Sequence, residues 1–153
     1  MTWTAAGAGE WTFETRLPRR FDAQGCTAYG AWVNGGWHPQ PTLPGQPLPA
    51  VHWTVTLRAD DGVVVAGEGV GLGVAQWAGT AERVPIALVP RGRISAIGAD
   101  GWSLTLVEHG PRRRTLTREL ERIASAVGPR PAVVVEGPLR RRLARPGPGV
   151  LYV

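Results

Sequence analysis

The chain has 153 residues, enough for one domain with a real core, and its 43% apolar content is ordinary for a globular protein. No apolar run is long enough for a membrane-spanning helix, and the N-terminal segment MTWTAAGAGEW has neither a basic head nor a long apolar stretch, so no cleaved leader is expected. The single cysteine, Cys26, excludes an internal disulfide and fits a cytoplasmic protein.

The charge is uneven. Up to Thr80 there are four arginines and six acids, 4 − 6 = −2; from Ala81 onward there are thirteen arginines and six acids, 13 − 6 = +7. Every basic residue among the 17 is arginine. Gly, Ala, Pro, Val and Arg share GC-rich codons, so a high-GC bacterial genome accounts for arginine in place of lysine. It does not account for the crowding of arginine toward one end.

In chain order, Glu10 to Leu17 alternates as a half-buried strand, with Trp11, Phe13, Thr15 and Leu17 on one face. Cys26 to Val33 reads as a second strand, with Tyr29 and Trp32 on opposite faces and the Asn34-Gly35-Gly36 turn after it. Trp37 to Pro49 carries five prolines, which exclude a helix or a central strand and predict an ordered surface strap. Val51 to Arg58 is the cleanest strand. Val51, Trp53, Val55 and Leu57 face in, and His52, Thr54, Thr56 and Arg58 face out. Asp60-Asp61-Gly62 predicts a hairpin turn, with Val63 to Ala66 starting the return strand.

From Gly67 to Val74, strand periodicity puts Gly67, Gly69, Gly71 and Gly73 on one face and Glu68, Val70, Leu72 and Val74 on the other. A face without side chains lets another element, a ligand or a barrel bend approach the backbone closely. Short strands follow at Val84–Val89, Arg93–Ile97 and Trp102–Glu108, with Pro90-Arg91-Gly92 and Gly98-Ala99-Asp100-Gly101 as turns.

Thr115 to Gly128 is the one strong helix signal. Leu116, Leu120, Ile123 and Val127 form a stripe at the helical period, and Gly128, Pro129 and Pro131 end it. Ala132 to Glu136 is a continuous apolar strand. A last hairpin is predicted between Leu139–Arg145 and Val150–Val153, around Pro146-Gly147-Pro148-Gly149. The expected fold is a single domain over residues 1–153, mainly β within the α+β class. It is a small bent antiparallel sheet or β-barrel of about eight to ten strands with one packed helix near the C-terminus. The strand–helix–strand order at the end also allows one parallel crossover.

No motif fixes a chemistry. The alternate-residue glycines are not a dinucleotide fingerprint, and a chain without lysine has no phosphate-loop lysine. His38, His52 and His109 lack metal-ligand spacing, so no metal or cofactor is implied. The catalytic candidates are Glu68, a general base if its face is buried, and His52, on the polar face of a strand with Arg58. Seven tryptophans are many for this length. Trp11, Trp53 and Trp102 read as core; Trp32, Trp37 and Trp77, with Tyr29, are candidates for the mouth of a ligand pocket. Arg112, Arg113 and Arg114 precede the helix, where cations oppose the dipole, and so mark a candidate anion site. Arg140, Arg141 and Arg142 form a second basic cluster.

Two functions fit. One is a small-molecule-binding, barrel-like protein, extending to a cofactor-independent cyclase or isomerase. The other is a module for nucleic acid or another anionic partner, using the arginine-rich half and stacking aromatics. Neither involves a membrane, and the sequence leaves the oligomeric state open.

Overall fold

A computed structural model of the chain describes residues 2–5, 11–19, 24–33, 37, 47, 49–99, 102–109, 118, 120–122, 132–136, 144–147 and 149–152. The described strands are β1 (Thr2–Ala5), β2 (Trp11–Glu14), β3 (Gly25–Thr27), β4 (Gly30–Val33), β5 (Val51–Ala66) and β6 (Gly69–Ala81), followed by β7 (Ile86–Val89), β8 (Arg93–Ala99), β9 (Trp102–Glu108), β10 (Ala132–Val135), β11 (Ala144–Gly147) and β12 (Val150–Tyr152). They form a two-stranded sheet β1-β2 and two five-stranded sheets, ordered β3-β4-β7-β5-β6 and β11-β12-β10-β9-β8. The protein is mainly β, as expected, but the described strands close no barrel, and the larger sheets pack as separate layers.

The first larger sheet is antiparallel and is built on the β5–β6 hairpin. Its turn is Gly67-Glu68, between the register partners Ala66 and Gly69, and Gly67 takes the positive φ of +52° that the first position of a tight hairpin turn favours. The expected turn at Asp60-Asp61-Gly62 is instead a large bulge inside one continuous strand. Arg58 pairs with Val74 and Val63 with Leu72, so the four residues Ala59 to Gly62 stand opposite Gly73 alone. A bulge of this size reverses the parity of the strand. Odd-numbered Trp53, Val55 and Leu57 before it share a face with even-numbered Val64 and Ala66 after it, and all five meet in one apolar cluster with Ala75, Trp77, Val84 and Leu88.

The hairpin is folded back on itself at this bulge. A Cβ at Gly69 would overlap the Gln76 carbonyl, and one at Gly71 would overlap the Val74 carbonyl. The bare glycine face is therefore occupied by the strand's own backbone. The Trp77 ring lies over Gly67 and Gly79, where added Cβ atoms would sit 2.7 and 2.6 Å from it. Only glycine allows this approach. The opposite face is only partly buried. Val70 does pack on the intersheet core, but Leu72 is 73% exposed and Val74 45%.

Beyond the bulge the other face of this sheet meets the second one. Trp32, Val63, Val65, Ala87 and Val89 pack against Val107, Val133, Val135 and Val150. The second sheet is mixed: β8, β9 and the β11–β12 hairpin pair antiparallel, while β10 runs parallel to both β9 and β12. Its far side carries a third cluster, Ile97, Leu104, Leu106, Leu120 and Val134. Both sheets are thus buried on two faces where their apolar runs lie. This accounts for the unbroken Val63-Val64-Val65-Ala66 and Val133-Val134-Val135 segments, each buried at every residue.

Of the expected helix, only Arg118, Leu120, Glu121 and Arg122 are described; these are helical, and Leu120 is 2% exposed. Leu116, Ile123 and Val127 lie outside the described residues, as do Arg112–Arg114 and Arg140–Arg142. Two strand expectations change. The segment Cys26 to Val33 is a hairpin, with Ala28-Tyr29 between the partners Thr27 and Gly30; Gly30, at φ +145°, lies where a Cβ would overlap the Leu88 carbonyl of the neighbouring strand. The strand read from Glu10 to Leu17 is observed as Trp11–Glu14.

Two substitutions test this packing by denaturant unfolding. Gly71→Val drives a side chain into the Val74 carbonyl and is expected to destabilise by about 2–4 kcal/mol; an unchanged midpoint contradicts the fold-back. Leu120→Ala is expected to cost about 2–4 kcal/mol through the cavity it leaves beside Leu106 and Val134.

Candidate functional site

The β5 bulge creates the candidate binding site. A cleft of about 180 Å³ opens on the face of the first sheet that carries Val64 and Leu88, with Leu17, Ala31, Trp32, Val33, Leu57, Arg58, Ala59, Val64, Ile86, Ala87 and Leu88 as its described lining. Its floor is a row across three strands, since Leu88 is the register partner of both Ala31 and Val64. Leu57, Arg58 and Ala59 form the wall where the strand leaves the sheet. Trp32 and Ala87 contribute from the strand backbone, because their side chains pack in the intersheet core. Among the described lining residues Arg58 alone is charged; it contributes from the strand backbone, because Leu57 and Ala59 on either side of it pack in the cluster with Val64 and Leu88, and its side chain is exposed on the opposite face.

The tryptophan candidates sit elsewhere. Trp32 is 4% exposed and belongs to the core, so its ring is not at a pocket mouth. Trp37 and Trp77 are half-buried and, with Trp53, pack in the cluster that also holds Leu57 and Leu88. Their rings back the cleft without lining it. Trp37 Nε1 donates to the Val84 carbonyl at 2.7 Å, Trp53 Nε1 donates to the Ala81 carbonyl at 2.9 Å, and the Trp37 carbonyl accepts from Thr15 Oγ1 at 3.0 Å. These bonds satisfy the indole N–H groups inside an apolar cluster and fix the rings as structure.

The catalytic candidates are not brought together. Glu68 is exposed in the hairpin turn, where its carboxylate lies against Gly149, so the burial on which its candidacy as a general base depended is not met. The cause is the turn itself: Gly67-Glu68 closes the hairpin, and the strand starts only at Gly69. His52 is exposed near the open end of the same hairpin, opposite Thr80. Neither lines the cleft. Glu14 and Arg16 form an exposed ion pair at 3.2 Å, a geometry of small energetic value. Tyr29 is 50% exposed at the β3–β4 turn and meets the His109 ring edge-on at 5.0 Å, away from the cleft lining.

A second polar set lies at the C-terminal ends of parallel strands β9 and β10. Glu108 is 3% exposed and accepts a hydrogen bond at Oε2 from Ser95 Oγ at 3.1 Å. Glu136 Oε2 accepts from the His109 backbone N–H at 3.2 Å, and the Glu136 N–H continues the parallel ladder to the Val107 carbonyl. The register puts Ser95, Glu108 and Glu136 on one face, above the cluster around Leu106. Among the described residues, no group of histidine, cysteine and acidic side chains has the arrangement to hold a metal ion. Glu108 was absent from the sequence candidates. Its place at the end of the alternation Leu104, Leu106, Glu108 was the available signal, since the residue continuing a buried face is itself buried.

Ser95→Ala should strand the Glu108 carboxylate without its hydroxyl donor and destabilise by about 1–3 kcal/mol. Ser95→Thr, which keeps a hydroxyl, should recover part of the loss in the same denaturant titration. Equal stability of Ser95→Ala and the wild type contradicts this role.

No protein-family model, curated protein or solved structure matches this chain.

Proposed function

We propose that this protein binds a small, mainly apolar molecule in the cleft beneath the β5 bulge. The observation that carries this reading is the cleft itself. The side chains that its described lining turns toward it are aliphatic, it is built by a large and specific bulge, and its volume of about 180 Å³ suits a single ring or a short branched chain. An apolar cavity of roughly 150 Å³ is enough to hold benzene. The tryptophan cluster behind the wall supports the reading by holding Leu57 and Leu88 in place.

The geometry supports binding, and among the described residues the cleft carries no acid–base pair, since Glu68 and His52 lie outside its lining. The extension to a cyclase or isomerase therefore rests on no observed pair of groups. A second reading, binding of nucleic acid or another polyanion, draws on the +7 balance after Ala81. Heparin retention that falls steeply with salt favours that reading, and retention unaffected by salt opposes it.

The cleft is tested with indole as a probe, followed by thermal melting and by the methyl signals of Leu57, Val64 and Leu88. Indole is expected to raise the melting temperature with concentration and to shift these methyls. Ala31→Leu, which fills the floor, is expected to abolish both effects while leaving the protein folded. Indole binding that survives Ala31→Leu contradicts the assignment.

A further inference from the structure

We propose that two copies of this chain associate through the open edge of β6, which pairs antiparallel with its own counterpart about a twofold axis. The proposal stands on the sheet edge alone and does not depend on the cleft.

The arm of the hairpin before the bulge is a ribbon of two strands. Val51 to Arg58 pair residue for residue with Val74 to Ala81, while β7 pairs only with Val63 to Ala66, further along β5. One face of the ribbon is anchored, since Trp53, Val55, Leu57, Ala75 and Trp77 pack in the cluster with Val64 and Leu88. The other face is open, with Val74, Gln76, Ala78 and Thr80 all exposed. Among the described residues no strand lies beyond β6, so its outer backbone groups have no ladder partner there. A two-stranded ribbon is marginal in water and gains from further strands.

Proteins guard edge strands by keeping them short, by charge or proline, or by bending them away. Here β3 has three residues, and β1 and β2 have four each. β11 carries Arg145 and Pro146, and β8 starts with Arg93. The part of β6 from Gly69 to Gly73 is bent through its glycines. The rest, Val74-Ala75-Gln76-Trp77-Ala78-Gly79-Thr80-Ala81, has no charge, no proline and no register shift. At about 3.4 Å per residue it offers roughly 27 Å of open edge, a template for another strand.

Symmetry and charge point to a second copy as the occupant. A twofold axis normal to the sheet sets the two β6 strands antiparallel, and residues opposite one another then share a face. Val74, Gln76, Ala78 and Thr80 therefore meet the same set from the other copy, and no charged side chain enters the seam. The closed pair uses both edges and stops at two. A single strand edge is narrower than a standard interface of roughly 1,600 Å², so the dimer is concentration-dependent.

The experiment is sedimentation of the full chain from micromolar to millimolar concentration, with amide hydrogen exchange measured over the same range. The wild type is expected to pass from monomer to dimer, and amides within Val74 to Ala81 should gain protection as it does. Ala78→Lys and Ala78→Glu, both at an exposed position, should each weaken the dimer by about tenfold or more, because like charges then meet at the seam. Mixing the two variants should restore association, which misfolded variants could not do. A wild type that stays monomeric throughout the range overturns the proposal. So does a dimer untouched by Ala78→Lys, or one whose concentration-dependent protection falls outside β6. Should both variants fail to fold, the exchange pattern of the wild type decides alone.

Discussion

The fold depends on how closely the two arms of one hairpin approach. At Gly69 and Gly71 the backbone of β6 comes against its own carbonyls at Gln76 and Val74, and at Gly67 and Gly79 it comes against the Trp77 ring. No side chain larger than hydrogen fits there without a shift. The bulge at Ala59 to Gly62 supplies the extra length that the other strand needs at the bend. Glycines on β6 and an insertion on β5 are thus two halves of one device. Together they turn a long hairpin into two layers, with the cluster of Trp53, Val55, Val64, Ala66, Ala75 and Trp77 between them.

Once the hairpin is doubled, the remaining packing follows from which residues lack a polar face. Val63, Val64 and Val65 are fully buried because one face meets the folded-back arm and the other meets the second sheet. Val133, Val134 and Val135 are buried in the same way, with the intersheet core on one side and the Leu120 cluster on the other. Each such valine adds roughly 1.5–3 kcal/mol of burial. The parallel pairing of β10 with β9 and β12 fits this, since parallel strands are found where both faces are covered. Polar groups that enter these layers are bonded: the indole N–H groups of Trp37 and Trp53 to carbonyls, and Glu108 to Ser95.

The sequence made some of this legible and hid the rest for definite reasons. The mainly β class, the strand from Val51 to Arg58 with its in–out alternation from Trp53 onward (Val51, read as facing in, is exposed), the apolar β10 and the parallel crossover could all be read from periodicity and order. The close approach at the glycines could also be read, although what approaches is the strand itself. The bulge was hidden because Asp60-Asp61-Gly62 carries the composition of a hairpin turn, and only the register shows that β5 keeps the same partner strand on both sides of it. That one misreading hid the true turn at Gly67-Glu68 and placed Glu68 on a strand face, where it became a conditional candidate for a base. The cleft was hidden for a different reason. It is lined by aliphatic residues of β4, β5 and β7, with Leu17, and these come together only through sheet order. Attention went instead to the tryptophans, whose rings serve the core behind it.

The central claim is that the β5–β6 hairpin doubles back and so builds the cleft. The most direct measurement is the proton spectrum of Gly67. In the folded-back hairpin, the Gly67 Hα in the side-chain position points at the Trp77 indole. That proton should be shifted strongly upfield by the ring current and should show nuclear Overhauser contacts to the indole, and both should vanish in Trp77→Leu. A Gly67 Hα at its ordinary frequency, with no contact to Trp77, would mean that the hairpin runs straight and that the cleft does not exist.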